Sequence, residues 1–220
     1  TTEIYTLSLH DALPICAYLN AALALGDVRI ENGNVVGDNG PYNDQIYYGM
    51  SSSYAQINYS GGTFFVESRE GYSMSNHPVS MVSWYGATAF AEYYGWRLPT
   101  EWEWQAVADY DGSYTYGCGT GIDQGKANYY DSGYANPLNL SSTPYTSPVD
   151  YYPPYGYGLH DMAGNVWEWT SSCYDTDCSG GYRVLRGGSW GNIDVSCAVT
   201  FRRNNYPIGM FGGFGFRVCR

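Results

Sequence analysis

Residues 77–110 read HPVSMVSWYGATAFAEYYGWRLPTEWEWQAVADY, and this stretch sets the architecture. Ser83 stands before Ala87, Phe90, Ala91 and Tyr94, apolar positions that recur at three and four, so the spacing predicts a capped helix ended by Gly95. Thr100 and Glu103 make a Thr-x-x-Glu capping box, with Pro99 just outside where no amide donor is needed; this predicts a second helix running to about Asp109.

Working outward, Ala17 to Leu25 has strong helix formers at helical spacing and stops at Gly26, which predicts an earlier helix. Asp27 to Asn76 is Gly, Asn, Ser and Tyr with short alternating pieces such as Thr63 to Val66, the pattern of loop with short strands. Gly112 to Pro154 reads as a long connection, and a loop of that length in a compact domain needs an organiser. Beyond it, Tyr182 and Val184, then Phe214, Phe216 and Val218, mark strands with one packed face. The expected class is α+β, loop-rich, with two main helices and short twisted antiparallel strands.

The first fifteen residues, TTEIYTLSLHDALPI, do not read like the rest. They resemble the in-frame translation of a short-read sequencing adapter, so residues 1–15 are expected to be a non-native scar and residues 16–220 one domain truncated at its N-terminus. Setting aside Glu3 and Asp11 moves the formal charge from −11 to −9. An acidic chain with a single lysine, Lys126, repels phosphate backbones, which argues against nucleic acid and anionic membranes. No apolar run approaches the ~20 residues that cross a bilayer. A monomer is expected. Scarce lysine, abundant Tyr, Asn, Ser and Gly, and five cysteines after Cys16 point to an extracytoplasmic or secreted setting. Cys173 and Cys178 bracket a short polar loop and are the best disulfide candidates, the alternative being two free thiols.

The order of the 77–108 stretch, YGYGLHDMAGNVWEWT (residues 155–170), YRVLRGGSW (residues 182–190) and GFRVC (residues 215–219) resembles the formylglycine-generating enzyme, or sulfatase-modifying factor, family. The likeness spans about His77 to Cys219, and Ala17 to Leu25 is similar to the family's first helix. It implies a C-type-lectin-like fold, structural calcium and, in enzymatic members, oxidation of a substrate cysteine to formylglycine.

Glu168 lies between Trp167 and Trp169, so its carboxylate is drawn out of water and needs a partner. Calcium takes six to eight oxygens, and Asp161 sits one glycine turn earlier. The resemblance implies a site made by the side chains of Asp161 and Glu168 with the carbonyls of Gly164 and Val166. The alternative is that Asp161 is a surface turn acid and Glu168 pairs with Arg186 or Arg217. For a second calcium site the resemblance supplies Asn128 and the carbonyl of Tyr129, with Asn136 the best substitute for a missing acid. A neutral amide makes that site weak or empty, or the segment an asparagine-rich loop.

Enzymatic members carry two cysteines five residues apart after Gly-Gly-Ser, because two soft thiolates hold Cu(I). Here Gly187, Gly188 and Ser189 are followed by Asn192 and Cys197 in those positions. The resemblance places Cys197, Ser189 and Trp167 in the catalytic pocket, yet one thiolate facing an amide holds copper poorly. Cys118 or Cys219 could approach in space, and Cys197 alone is commonly a small buried hydrophobe. Neither His77 nor His160 has a triad partner at recognisable spacing.

The expected function is therefore a calcium-stabilised domain that binds a ligand or peptide and is not a standard formylglycine generator. One alternative is a copper-dependent oxidase acting on a sulfatase cysteine. Another is a diversified ligand-display module with its variable positions in residues 197–211. A non-haem iron sulfoxide synthase would need a His and carboxylate set that is not evident.

Overall fold

The structure is a computed structural model that describes residues 11–132 and 136–220. Thr1 to His10, the larger part of the expected scar, lie outside the described residues.

The first helix, α1 (Ala12–Leu25), starts five residues before the expected Ala17. Ala12 donates its amide to the His77 carbonyl at 2.9 Å, Asp11 forms a β-bridge with Pro78, and Ala12 and Ile15 are buried with Tyr18, Leu19 and Ala22. Pro14 falls among the first helical amides, which have no intrahelical partner, so it interrupts nothing. The apolar face thus runs through position 15, and the expected boundary there is no break in the helix.

Three antiparallel strands follow, β1 (Val28–Glu31), β2 (Asn34–Gly37) and β3 (Ile46–Gly49), then the hairpins β4 (Ile57–Ser60) with β5 (Thr63–Val66) and β6 (Ser68–Arg69) with β7 (Tyr72–Ser73). Helix α2 (Trp84–Tyr93) is capped by Ser83, whose hydroxyl accepts from the Gly86 amide at 3.0 Å. Helix α3 (Glu101–Ala108) carries the complete capping box: the Glu103 amide donates to Thr100 Oγ1, and the Thr100 amide donates to the Glu103 carboxylate. Among the described residues the two main helices and the earlier one are the α-helices expected, and α1 is the longest of them.

The C-terminal sheet contains β8 (Trp167–Cys173), β9 (Arg183–Arg186), β10 (Arg203–Asn205) and β11 (Phe214–Phe216) in the order β10-β9-β8-β11. Its pairings are antiparallel except that β11 lies parallel to β8, a departure from the all-antiparallel expectation. Parallel neighbours need a long crossover, and residues 174–213 supply it. Phe90 of α2 packs edge-on against Phe216, and Trp169 against Phe214, both with centroids 5.4 Å apart. Burying side chains of this size contributes about 1.5–3 kcal/mol each.

The described residues of the 112–154 segment contain neither helix nor strand, as expected. Buried amides organise much of it. Asn165 accepts from the Ser147 amide at 3.1 Å and donates to its carbonyl at 3.2 Å, while Asn128 Nδ2 donates to the Tyr145 carbonyl at 2.8 Å. Cys173 and Cys178 form a disulfide, the pairing favoured from sequence. No helix among the described residues is long and apolar enough to cross a membrane.

Candidate functional site

Asp161 begins the turn that feeds β8, with φ at +55°. Both of its carboxylate oxygens are sealed from solvent and lack a hydrogen-bond partner among the described residues. Burial pushes its pKa up to about 7, while Arg217 and the Asn165 amide nearby pull the other way. Three residues on, Gly164 has φ +78°, and a Cβ there would sit 2.4 Å from the Asn128 carbonyl, so only glycine lets the two segments bridge.

Glu168 takes the arginine partner that the alternative reading allowed. Arg217 donates to both of its oxygens at 2.6 Å, and Trp104 Nε1 donates to Oε2 at 2.6 Å. Arg186 bonds instead to the Phe201 carbonyl and to Gln105. A bidentate guanidinium plus an indole donor answers the desolvation of a carboxylate set between two tryptophans. Glu168 is thus largely engaged, whereas the two buried Asp161 oxygens make no hydrogen bond of full geometry and have only the Asn165 amide and Arg217 nearby. That carboxylate is a hard oxygen donor of the kind a calcium ion takes, with the Arg217 guanidinium the cationic group in electrostatic reach of it.

The second expected set, Asn128, Tyr129 and Asn136, lines one pocket of about 350 Å³ together with Asn139, Tyr145 and Trp190. No carboxylate among the described residues lines it. Asn128 is spent on Tyr145, the Tyr129 carbonyl accepts from Gln124 Nε2, and Asn136 bonds Leu140 through both its amide nitrogen and its oxygen. These groups serve loop closure, and the set offers no anionic oxygen for calcium.

Around the Gly-Gly-Ser turn, Trp167, Ser189 and Asn192 are brought together. The Asn192 side-chain oxygen accepts from Trp167 Nε1 at 2.7 Å and from Ser189 Oγ at 2.6 Å, and its backbone carbonyl accepts from the Tyr130 amide. Trp167 is 1 % exposed and Ser189 4 %, so neither lines an open cleft. Cys197 lies beneath the turn, where a Cβ on Gly188 would come within 2.5 Å of its sulfur. It is fully buried in an apolar cluster with Cys118, Ala127, Tyr129 and Ala163. Burial pushes the Cys197 thiol up to about 12 and the Cys118 thiol up to about 11. Both are therefore neutral at ordinary pH, and the Cys118 thiol points to the Gly121 carbonyl. Cys219 lies apart from this cluster, its sulfur directed at the Arg97 carbonyl. Asn192, with its oxygen shared by two donors, offers no soft ligand, whereas Cys118, one of the two thiols that could approach Cys197, does lie in the same cluster with it. No group of three or more His, Cys, Asp or Glu side chains is poised for a metal among the described residues.

Sequence reasoning missed Trp104 as a donor to Glu168 and Asn165 as the clamp on Ser147. Their only signal was the presence of polar-tipped residues next to apolar runs. Of the residues the resemblance singles out, Trp167 and Ser189 meet at Asn192.

The profile of the "Sulfatase-modifying factor enzyme 1-like domain" matches residues 42–220. The chain belongs to the sulfatase-modifying factor family. Within that family it is 36 % identical over 166 residues to the formylglycine-generating enzyme of Streptomyces coelicolor, covering 66 % of this chain and 52 % of the relative. It is equally 36 % identical over 151 residues to the "Inactive C-alpha-formylglycine-generating enzyme 2" of Bos taurus, covering 64 % and 50 %. A third relative is a Chlamydia pneumoniae protein named serine/threonine-protein kinase pkn1, 36 % identical over 162 residues, covering 66 % of this chain and 24 % of that one. The chain thus spans between about a quarter and a half of the length of these relatives. Among solved structures, Treponema denticola variable protein 1 superposes with a TM-score of 0.56 at 27 % identity, covering 70 % of this chain and 74 % of that one. PvdO from Pseudomonas aeruginosa superposes with the same TM-score at 21 % identity over 83 % and 85 %, a likeness of fold. The fold is the C-type-lectin-like α+β fold of the sulfatase-modifying factor family.

Proposed function

We propose that this domain is a calcium-stabilised, ligand- or peptide-binding member of the sulfatase-modifying factor family and not a standard formylglycine generator. The observation that carries the reading is the Asn192 side chain, which occupies the place of a redox cysteine and is bound by both Trp167 and Ser189. These bonds close the niche in which a substrate thiol would meet a metal. An inactive relative at 36 % identity makes loss of the activity within the family a precedent.

The ligand surface in this reading lies at the mouth of the same turn. Ile193, Val195 and Tyr130 are exposed there, beside the pocket that Trp190 and Tyr145 line. Apolar and aromatic side chains around a polar pocket suit a peptide or small ligand. Calcium in this reading is held by Asp161, with the carbonyls of Gly164 and Val166 and the remaining valence of Glu168. It would supply the charge that the orphaned Asp161 oxygens lack, and its role is structural. The Cys173–Cys178 disulfide and the scarcity of lysine support an extracytoplasmic setting.

The competing reading is a copper-dependent oxidase of a protein cysteine, favoured by Trp167, Ser189 and Cys197 standing in the family's positions. One experiment separates the two. Purified chain is loaded with Cu(I) and given a peptide with a Cys-x-Pro-x-Arg core, and mass spectrometry follows the thiol. No conversion, with no tight Cu(I) uptake, is expected; conversion that depends on Cys197 would establish the oxidase. Calcium is tested separately: chelation should lower the melting temperature of the wild-type chain and leave Asp161→Asn unchanged.

A further inference from the structure

Arg203 stands on β10, the edge strand of the C-terminal sheet, and its guanidinium lies over two aromatic rings, 5.4 Å from the centre of Trp167 and 5.3 Å from that of Phe214. The Trp167 ring is the one whose indole N–H donates to Asn192, so Arg203 borders the Asn192 niche. The ring faces attract the cation but leave its five N–H donors without an oxygen.

Most other cations are answered from within the chain. Arg29, Arg69, Arg97, Lys126, Arg202 and Arg217 each have a carboxylate oxygen within 3.7 Å, and Arg183 and Arg186 donate to carbonyl oxygens. Arg203 has neither an ion pair nor a hydrogen bond among the described residues, although the sequence carries 21 acids against 10 lysines and arginines. Burial pulls its pKa below the ordinary arginine value, and no carboxylate lies close enough to raise it. The side chain is half-buried and none of its nitrogens is sealed, so an acceptor can arrive from solvent. Seated on two rings, the guanidinium is in place before anything binds, which lowers the ordering cost of a two-pronged contact.

We propose that Arg203 is the anion anchor of the ligand surface beside the Asn192 niche and takes a carboxylate of the ligand in a bidentate contact. The inference rests on the ligand-binding reading and adds the chemistry of one end of that ligand. A carboxylate is planar with two oxygens and matches the guanidinium fork. Phe211, which is exposed, packs on Phe214 with centroids 4.8 Å apart, so an apolar group next to the carboxylate has a ring to lie on. The net charge of −11 repels anions at a distance, so recognition depends on this local contact.

Titration of the full chain with N-acetylphenylalanine and with its neutral amide, followed by calorimetry and by the Arg203 Nε–H resonance in heteronuclear NMR, tests it. The acid is expected to bind about tenfold more tightly than the amide, or better, and to shift that resonance. Arg203→Gln loses no hydrogen bond or ion pair, so it should fold, and the acid should then bind no better than the amide. A side chain that only covers the rings would move the melting temperature and leave the acid-to-amide ratio as it was. Nα-acetylglutamate α-amide, titrated in parallel, separates two sources of the same group: tighter binding of N-acetylphenylalanine assigns the anchor to a chain-terminal carboxylate, and tighter binding of the glutamate probe to an acidic side chain. Equal binding of acid and amide by the wild-type chain, which needs no variant, or a preference for the acid that survives in folded Arg203→Gln, would overturn the proposal while leaving ligand binding in place. Failure of both carboxylate probes to bind would overturn it too, whereas conversion of the cysteine peptide in the copper assay would remove the underlying reading by a separate measurement.

Discussion

The indole N–H of Trp167 donates to the side-chain oxygen of Asn192 at 2.7 Å, across 25 residues of sequence. With the Ser189 hydroxyl on the same oxygen, this makes Asn192 a structural hub where a paired thiol is expected. Asn192→Ala should therefore cost about 1–3 kcal/mol, because a buried indole donor and a hydroxyl lose their acceptor. Asn192→Cys should be nearly as costly, since sulfur accepts weakly, whereas Asn192→Asp keeps the oxygen. Urea denaturation checks the order, and an Asn192→Cys variant as stable as wild type would remove the hub.

Arg217 and Glu168 form a bidentate pair with both side chains buried. Arg217→Met should destabilise by about 3–5 kcal/mol, since Glu168 would keep a buried charge with only the Trp104 indole to answer it. Arg217→Lys should recover little, because an ammonium cannot reproduce the two parallel bonds. Chemical denaturation of both variants measures the difference.

Gly188 has φ +78° and lies over Cys197, so Gly188→Ala meets two separate penalties. The left-handed backbone costs about 1–2 kcal/mol for a side-chain-bearing residue. Crowding against the Cys197 sulfur costs about 1–3 kcal/mol more. Cys197→Ala should relieve only the second, so a double-mutant cycle should show coupling between the two positions. Strict additivity would mean that the sulfur is not what the new methyl group meets.

Two groups contribute to the acid limb of stability in different windows. His77 is buried, with Thr146 Oγ1 at 3.0 Å from Nδ1, and burial pulls its pKa down to about 4 from 6.5. The unfolded chain thus takes up that proton first, and stability falls as pH drops from 6.5 towards 4. Glu103 is held down to about 2 by the Arg97 guanidinium and the Thr100 groups, so its contribution is complete above pH 4.5 and disappears as pH falls through about 2. His77→Gln should flatten the upper window and Glu103→Gln the lower one, as read from urea midpoints across pH. If Glu103→Gln left the lower slope intact, the ion pair would not be its source.

Local features were readable in advance because they need only neighbours in the chain. The Ser83 cap, the Thr100 capping box and the helices they start follow from side chains reaching amides three residues away. The start of α1 was not readable, because Ala12 is held by the His77 carbonyl and by core contacts from distant segments. The parallel placement of β11 beside β8 was hidden for a similar reason: alternation shows which face is packed but not which neighbour supplies the pairing.

By itself the sequence determined the family, the α+β class and the capped helices. Each is written in residue order or in contacts between near neighbours. Only the tertiary structure decided which buried charges are answered. It gave Glu168 to Arg217 and Trp104, 49 and 64 residues away, left the Asp161 oxygens buried without a full hydrogen bond, and held Cys197 protonated in an apolar cluster. Desolvation and partner choice depend on segments that meet only when the chain is folded, and those two quantities separate a carboxylate that is satisfied from one that is sealed from solvent without a full hydrogen bond.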